Sequence, residues 1–137
     1  MSPTPGASSE AKEAKRALRR SLLTARRARP AAEVRRLGPV FAEVAARLPE
    51  LDAVRTVAAY VSVGGEPDTA PLVERWHARG VRVLLPVLLP DDDLDWAVYE
   101  GPGSLRDVRR AGRMTLREPA GPRLGPGAVT RAGAVLL

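Results

Sequence analysis

Two groups of residues carry side chains and spacings that could do chemistry. In VSVGGEPDT, residues 61–69, a double glycine holds one carboxylate, Glu66, between an apolar run and a helix-like segment. Glycines there let the backbone approach a ligand closely or adopt positive φ. A carboxylate in that place could orient an amide or amino-heterocycle edge, or hold a cation. It could equally be a turn acid serving the next helix, and local physics leaves the two readings level. In KRALR, residues 15–19, Lys15 and Arg19 are four apart and project from one edge of a helix. A point charge beside a forked donor suits a triphosphate. Spacing by itself favours a solvated basic face.

Other polar groups offer less. Asp91, Asp92 and Asp93 follow a proline and read as a solvated turn, since no further ligands follow at calcium-loop spacing. His77, the single histidine, has no nucleophile or carboxylate at a recognisable spacing and reads as a boundary residue. Gly101, Gly103, Gly125 and Gly127 form no phosphate-loop signature. No complete catalytic constellation and no metal-ligand set stands in these residues.

The chain that must position these groups has 137 residues, 45% of them hydrophobic and 28% charged, which suits one modest globular domain and argues against wholesale disorder. It has no cysteine, so thiolate metal sites and disulfides are excluded. No membrane-length apolar stretch and no signal-like N-terminus are visible, and a cytoplasmic location is the expectation. The net charge of +6 is almost wholly arginine, spread along the chain and concentrated only in the first helix.

Residues 1–9 read as a mobile tail, with Ser9 capping a helix that runs to about residue 29, where Pro30 stops it. Leu18, Leu22 and Ala25 would form its apolar stripe. A second helix, about 31–48, carries Val34, Leu37, Phe41, Val44 and Leu48 at helical spacing, with Gly38-Pro39 expected to kink or split it. A buried strand is expected over 55–61. A third helix follows, capped by Asp68 or Thr69 and stopped at Gly80. A second buried strand over 81–87 completes a parallel βαβ unit. LDWAVYE, 94–100, alternates as a more exposed strand. GPGSLRDVRRAGR reads as a loop with one helical turn, and MTLREPAGPRLGPG as irregular. AGAVLL, 132–137, begins another buried strand at which the sequence stops, so a C-terminally incomplete fold of marginal stability is expected.

In this order, AKRALRRSL, SVGGEPDT, APLVERWHARG, VRVLLPV, LDWAVYE and RMTLREP resemble the 5-formyltetrahydrofolate cyclo-ligase family over about residues 11–137. The resemblance implies a three-layer α/β/α sandwich with a mainly parallel, Rossmann-like sheet, residues 10–137 being the N-terminal part of a single domain. It implies conversion of 5-formyltetrahydrofolate to 5,10-methenyltetrahydrofolate with ATP and Mg²⁺, in a protein that is a monomer at full length. By carry-over, Lys15, Arg16, Ala17, Leu18 and Arg19 match the ATP-contacting segment, and Val61 and Glu66 the folate-contacting positions. The family's glycine-rich Gly-Tyr-Tyr-Asp loop and its magnesium-binding acid have no counterpart here. Residues 1–137 alone are therefore expected to be inactive, and an ATP-dependent rise in methenyl-folate absorbance would overturn that. The rival reading is a non-catalytic basic α/β module that binds nucleic acid through Arg16, Arg20, Arg26 and Arg27. The scarcity of stacking aromatics and the lack of a nucleic-acid-binding motif argue against it.

Overall fold

A computed structural model describes residues 5–110 and 114–137 of the chain. Helix α1 spans Pro5–Arg27, α2 Ala31–Ala46 and α3 Ala70–Ala78. Strands β1 (Thr56–Ala58), β2 (Arg82–Leu88), β3 (Leu94–Val98) and β6 (Ala134–Val135) form one sheet in the order β3-β2-β1-β6. β1 runs parallel to both β2 and β6, and β3 is antiparallel to β2. Strands β4 (Leu105–Arg110) and β5 (Met114–Pro119) form a separate antiparallel hairpin. This is a mixed α/β fold with a mainly parallel sheet, as the βαβ pattern implied.

The sheet is buried on both sides. Val57, Ala59, Val83, Leu85 and Tyr99 meet Val73 of α3 on one face. Ala58, Leu84 and Trp96 meet Ala128 on the other. Ala128 belongs to a 3₁₀ segment, Pro126–Arg131, that covers that face in place of an α-helix. β3 is accordingly not the exposed strand its alternation suggested, because Trp96, Ala97 and Tyr99 are all buried. The reason lies 30 residues downstream. Asp95 Oδ1 accepts from the Gly125 N–H at 2.8 Å, and the Leu124 N–H donates to the Trp96 carbonyl, so the chain after β5 is strapped over the strand.

Further sequence expectations change. α1 starts at Pro5, so residues 5–9 are helical and Ser9 is not its cap; proline is favoured at a first helical position and nothing from Ala7 onward breaks the helix. The rest of the expected tail, residues 1–4, lies outside the described residues. Gly38-Pro39 does not split α2, which runs through both; a Cβ at Gly38 would stand 3.0 Å from Asp68 Oδ2 and from Pro71 Cγ. The small residues Gly38 and Ala42 are the buried ones. α2 therefore turns its small side inward for a close crossing with α3, leaving Phe41, Val44 and Leu48 at 38, 54 and 45% exposure. On α1, Leu18 and Leu22 of the expected stripe are likewise exposed. Of the segments expected to be loop and irregular, the single helical turn is found at Pro102–Ser104 and residues 120–125 have no helix or strand, but 105–110 and 114–119 form β4 and β5, whose partner is each other, a pairing that no local period announces; residues 111–113 of the first segment lie outside the described residues.

β1 is also shorter than the apolar run. After Ala58 the Ala59 N–H still donates to the Leu84 carbonyl, but the next residues leave the ladder for Thr69. Thr69 is 6% exposed; its hydroxyl donates to the Tyr60 carbonyl at 2.7 Å and accepts from the Ser62 N–H at 3.3 Å. Thr69 is the N-cap position of α3, yet its side chain caps nothing, and Asp68 Oδ1 accepts from the Ala70 N–H instead. Thr69→Val keeps the shape and strands both backbone groups. It is expected to cost about 1–3 kcal/mol in urea unfolding, and a change within error would refute the hydroxyl's role.

Candidate functional site

The loop that Thr69 holds forms one wall of a cleft of about 500 Å³. Val61, Gly64, Gly65 and Glu66 line it from the carboxyl end of β1, the zone where open α/β sheets bind ligands. Arg26 and Arg27 reach it from the end of α1, Arg29 from the linker after it, Arg35 from α2 and Arg117 from β5. Gly65 permits the close approach of α1: a Cβ there would stand 2.9 Å from Arg26 Cγ and 3.2 Å from the Arg26 carbonyl oxygen. Gly64, at φ +57, supplies the left-handed turn.

Glu66 is both turn residue and cleft residue. Its Oε1 accepts from the Val63 N–H at 2.9 Å, while its own N–H donates to the Val63 carbonyl at 3.2 Å. Oε2 has no hydrogen-bond partner among the described residues. One oxygen therefore fixes the carboxylate and the other remains able to accept from a ligand. The neighbouring Tyr60 phenol has its pKa raised, first by burial and then by the Glu66 charge, with Arg26 opposing. Tyr60, Glu66 and Arg26 thus share one electrostatic neighbourhood.

An apolar pocket of about 270 Å³ adjoins the cleft through Val61, Ala70 and Arg117. Val73, Leu85 and Leu105 line it, and Glu74 and Tyr99 supply its polar edge. The Tyr99 hydroxyl donates to Glu74 Oε2 at 2.6 Å, and the His77 ring stands edge-on to Tyr99 at 5.2 Å. His77 is half-buried, in keeping with a boundary residue. The Glu74–Tyr99 pair joins residues 25 apart on a helix and beyond a strand, so no local pattern could have revealed it.

The structure brings Val61 and Glu66 together but keeps KRALR apart from them. Lys15, Arg16, Ala17, Leu18 and Arg19 are exposed on α1, and none lines the cleft. At 1.5 Å per residue, Lys15 lies about 16 Å along the helix axis from Arg26. Arg29, Arg35 and Arg117, which do line the cleft, stood out from nothing in the sequence. The three aspartates serve their own turn: Asp91 Oδ1 accepts from the Asp93 N–H, Asp93 Oδ1 accepts from the Leu94 N–H, and Asp92 sits at φ 65. Among the described residues no group of three or more His, Cys, Asp or Glu could hold a metal ion. Nor is any helix among them long and apolar enough to cross a membrane.

The sequence profile of the 5-formyltetrahydrofolate cyclo-ligase family matches residues 11–137. A 5-formyltetrahydrofolate cyclo-ligase of Mycolicibacterium smegmatis (strain ATCC 700084 / mc(2)155) is 39% identical over 88 residues, covering 61% of this chain and 43% of that protein. The NMR structure of Aquifex aeolicus 5,10-methenyltetrahydrofolate synthetase superposes with a TM-score of 0.69 at 24% identity, covering 90% of this chain and 59% of that one. That second likeness is one of fold. The chain spans less than two thirds of the length of either relative.

The buried phenol of Tyr99 gives a pH test. Burial, then the hydrogen bond to Glu74 and its charge, push the Tyr99 pKa up to about 12 from 10.0. The neutral phenol thus stabilises the fold fully below pH 10, and that contribution is lost as pH rises towards 12. An alkaline absorbance titration of the tyrosines should show a late component that moves down in Glu74→Gln. A single step near the free-tyrosine value would refute the assignment.

Proposed function

The chain belongs to the 5-formyltetrahydrofolate cyclo-ligase family, and on that premise we propose that it binds 5-formyltetrahydrofolate at Val61 and Glu66 and ATP along KRALR, for ATP-dependent closure to 5,10-methenyltetrahydrofolate. The observation that carries this reading is the shared cleft at the carboxyl end of β1, in which Glu66 is anchored by one oxygen and free at the other. A fixed carboxylate oxygen accepts from the adjacent N–H donors of an amino-pyrimidinone ring, and Val61 supplies an apolar edge beside it.

In the reaction proposed, the formyl oxygen attacks the γ-phosphorus of ATP and ADP leaves. N10 then attacks the activated carbon, the C–O bond to the phosphoryl oxygen breaks, and phosphate departs with the former formyl oxygen. The N10 proton is released, and the product is the cyclic methenyl cation. For such a transfer the protein's part is mostly positioning and charge stabilisation. Glu66 and Val61 hold the pterin so that N10 and the formyl carbon meet. Lys15 and Arg19, on one edge of α1, suit the triphosphate, with Arg16, Ala17 and Leu18 forming the turn between them. Mg²⁺ would enter as the counter-ion of ATP and would neutralise charge on the transferring phosphoryl group.

Titration calorimetry tests the two halves separately. Glu66→Gln keeps an acceptor for the Val63 N–H but removes the charge, and should weaken 5-formyltetrahydrofolate about tenfold, or about 1.4 kcal/mol. Unchanged affinity would count against the assignment. Lys15→Ala with Arg19→Ala should weaken ATP about tenfold or more and leave folate binding intact; equal ATP affinity in wild type and variant would remove KRALR from the site.

A further inference from the structure

One edge of the main sheet is covered and the other is open. On β3 the outward Trp96 carbonyl accepts from the Leu124 N–H at 2.9 Å, and Asp95 Oδ1 from the Gly125 N–H, so that strand's outer side is strapped. β6 lies at the opposite end of the order β3-β2-β1-β6, with no strand beyond it among the described residues. Its Ala134 stands opposite Val57 and its Val135 opposite Ala58, and the Leu136 N–H donates to the Ala58 carbonyl at 2.8 Å. Backbone groups alternate in direction along a strand, so Ala134 and Leu136 face β1 while the N–H and carbonyl of Val135 face outward. Protected edges carry a charge or a proline against a second strand. GAVLL, residues 133–137, carries neither.

The helix beside this edge is open in the same way. α2 turns Val40, Val44 and Leu48 to solvent, with Phe41 next to them. Phe41, Val44, Leu48, Leu136 and Leu137 line an apolar groove of about 270 Å³ between α2 and the end of β6. No lysine or arginine lines it, although the chain carries a net charge of +6, so two copies can meet there without opposing cations. The exposed area points the same way. A folded monomer of 14.7 kDa has a surface of about 6,900 Å², whereas this chain exposes 9809 Å². α1, exposed along most of its length, accounts for part of the difference. The whole difference, about 2,900 Å², is more than three times the roughly 800 Å² that each partner gives to a standard dimer interface.

We propose that a second copy of this chain covers this edge and this helix face, with β6 paired antiparallel to the partner's β6 about a two-fold axis and α2 packed against the partner's α2. The pairing is self-complementary. Outward backbone groups fall at 133, 135 and 137, so an axis at Val135 lets it exchange both hydrogen bonds with the partner's Val135 and sets Gly133 opposite the partner's Leu137. Ala134 and Leu136 pack on the sheet face that Val73 of α3 covers, and α2 crosses α3 at Gly38. A two-fold axis normal to the sheet keeps the faces matched, so both α2 helices fall on that one side with their apolar stripes towards each other. The contact is isologous and closes at two copies, because the strapped β3 edge offers no second place to add a strand. None of these residues is among the folate or ATP contacts proposed above.

Sedimentation velocity on the 137-residue chain is expected to show a mass that rises from 14.7 kDa to twice that value between about 1 and 100 μM. Val135→Pro removes the outward N–H but no donor to β1, and should weaken the dimer at least about tenfold with the circular dichroism spectrum unchanged. Val135→Thr keeps the donor and should dimerise like wild type. Val44→Glu/Leu48→Glu, at exposed positions, should weaken the dimer by about the same factor. In hydrogen exchange the Val135 amide should be protected at high concentration and lose that protection on dilution. A chain that stays at 14.7 kDa throughout overturns the proposal and leaves the face to a different occupant. So does a dimer that both Val135→Pro and the helix variant leave intact. Growth beyond two copies overturns the closed pairing. If Val135→Pro unfolds the chain, the helix variant and the Val135 amide decide, and a dimer in which that amide stays unprotected refutes the strand contact.

Discussion

The Thr69 hydroxyl is the contact on which the site depends. One oxygen donates to the Tyr60 carbonyl and accepts from the Ser62 N–H, closing the chain from the end of β1 to the start of α3. Buried backbone groups must be satisfied, and here a side chain from the next element does for Tyr60 and Ser62 what a further strand pairing would have done. That exchange ends β1 at Ala58 and frees Val61 to Asp68 to form a wall rather than a ladder. It also explains why a threonine at a helix N-cap position makes no cap, since its oxygen is already committed.

The loop so held has its own internal closure, and the arrangement divides one carboxylate between two roles. Glu66 Oε1 secures Val63, which removes the conformational freedom that a glycine-flanked acid would otherwise have. Pre-ordering of this kind lowers the entropy lost when the second oxygen accepts from a ligand. Turn punctuation and ligand contact, level alternatives in the sequence, are compatible because a carboxylate has two acceptor atoms. The cleft then acquires its polarity from elements far away in the chain. α1 reaches Gly65 only because that residue lacks a Cβ, and it carries Arg26 with it.

Much of the architecture was legible. The apolar runs at β1 and β2, the glycine turns around them and Gly80 at φ +80 gave the parallel βαβ unit, and proline at 30 marked the end of the first helix region. β3 was recognised as a strand but assigned the wrong exposure, because its alternation describes side-chain chemistry and not what lies above it. Asp95 is polar, yet its carboxylate accepts from Gly125 and so recruits the cover. α2 failed in the opposite way: its large apolar residues obey the helical period, but the helix crosses α3 on Gly38 and Ala42. Periodicity finds a stripe; steric fit decides which stripe faces inward. The β4–β5 hairpin was missed because its residues are charged and its pairing is mutual, so neither strand carries a buried-strand signature.

The sequence by itself determined the family, the βαβ frame and the two positions, Val61 and Glu66, that share the cleft. The frame follows from local chemistry, glycines where the backbone must turn and apolar runs where it must be buried; the family follows from motifs in a fixed order, and Val61 and Glu66 from the resemblance those motifs carry. Only the tertiary structure decided that Glu66 keeps one oxygen free, that KRALR lies outside the cleft, and that Arg29, Arg35 and Arg117 lie on it. The physical reason is that charge and hydrogen bonding act through space at a few ångströms. Residues 82 apart in the chain, Arg35 and Arg117, become neighbours on one surface only after the layers have packed.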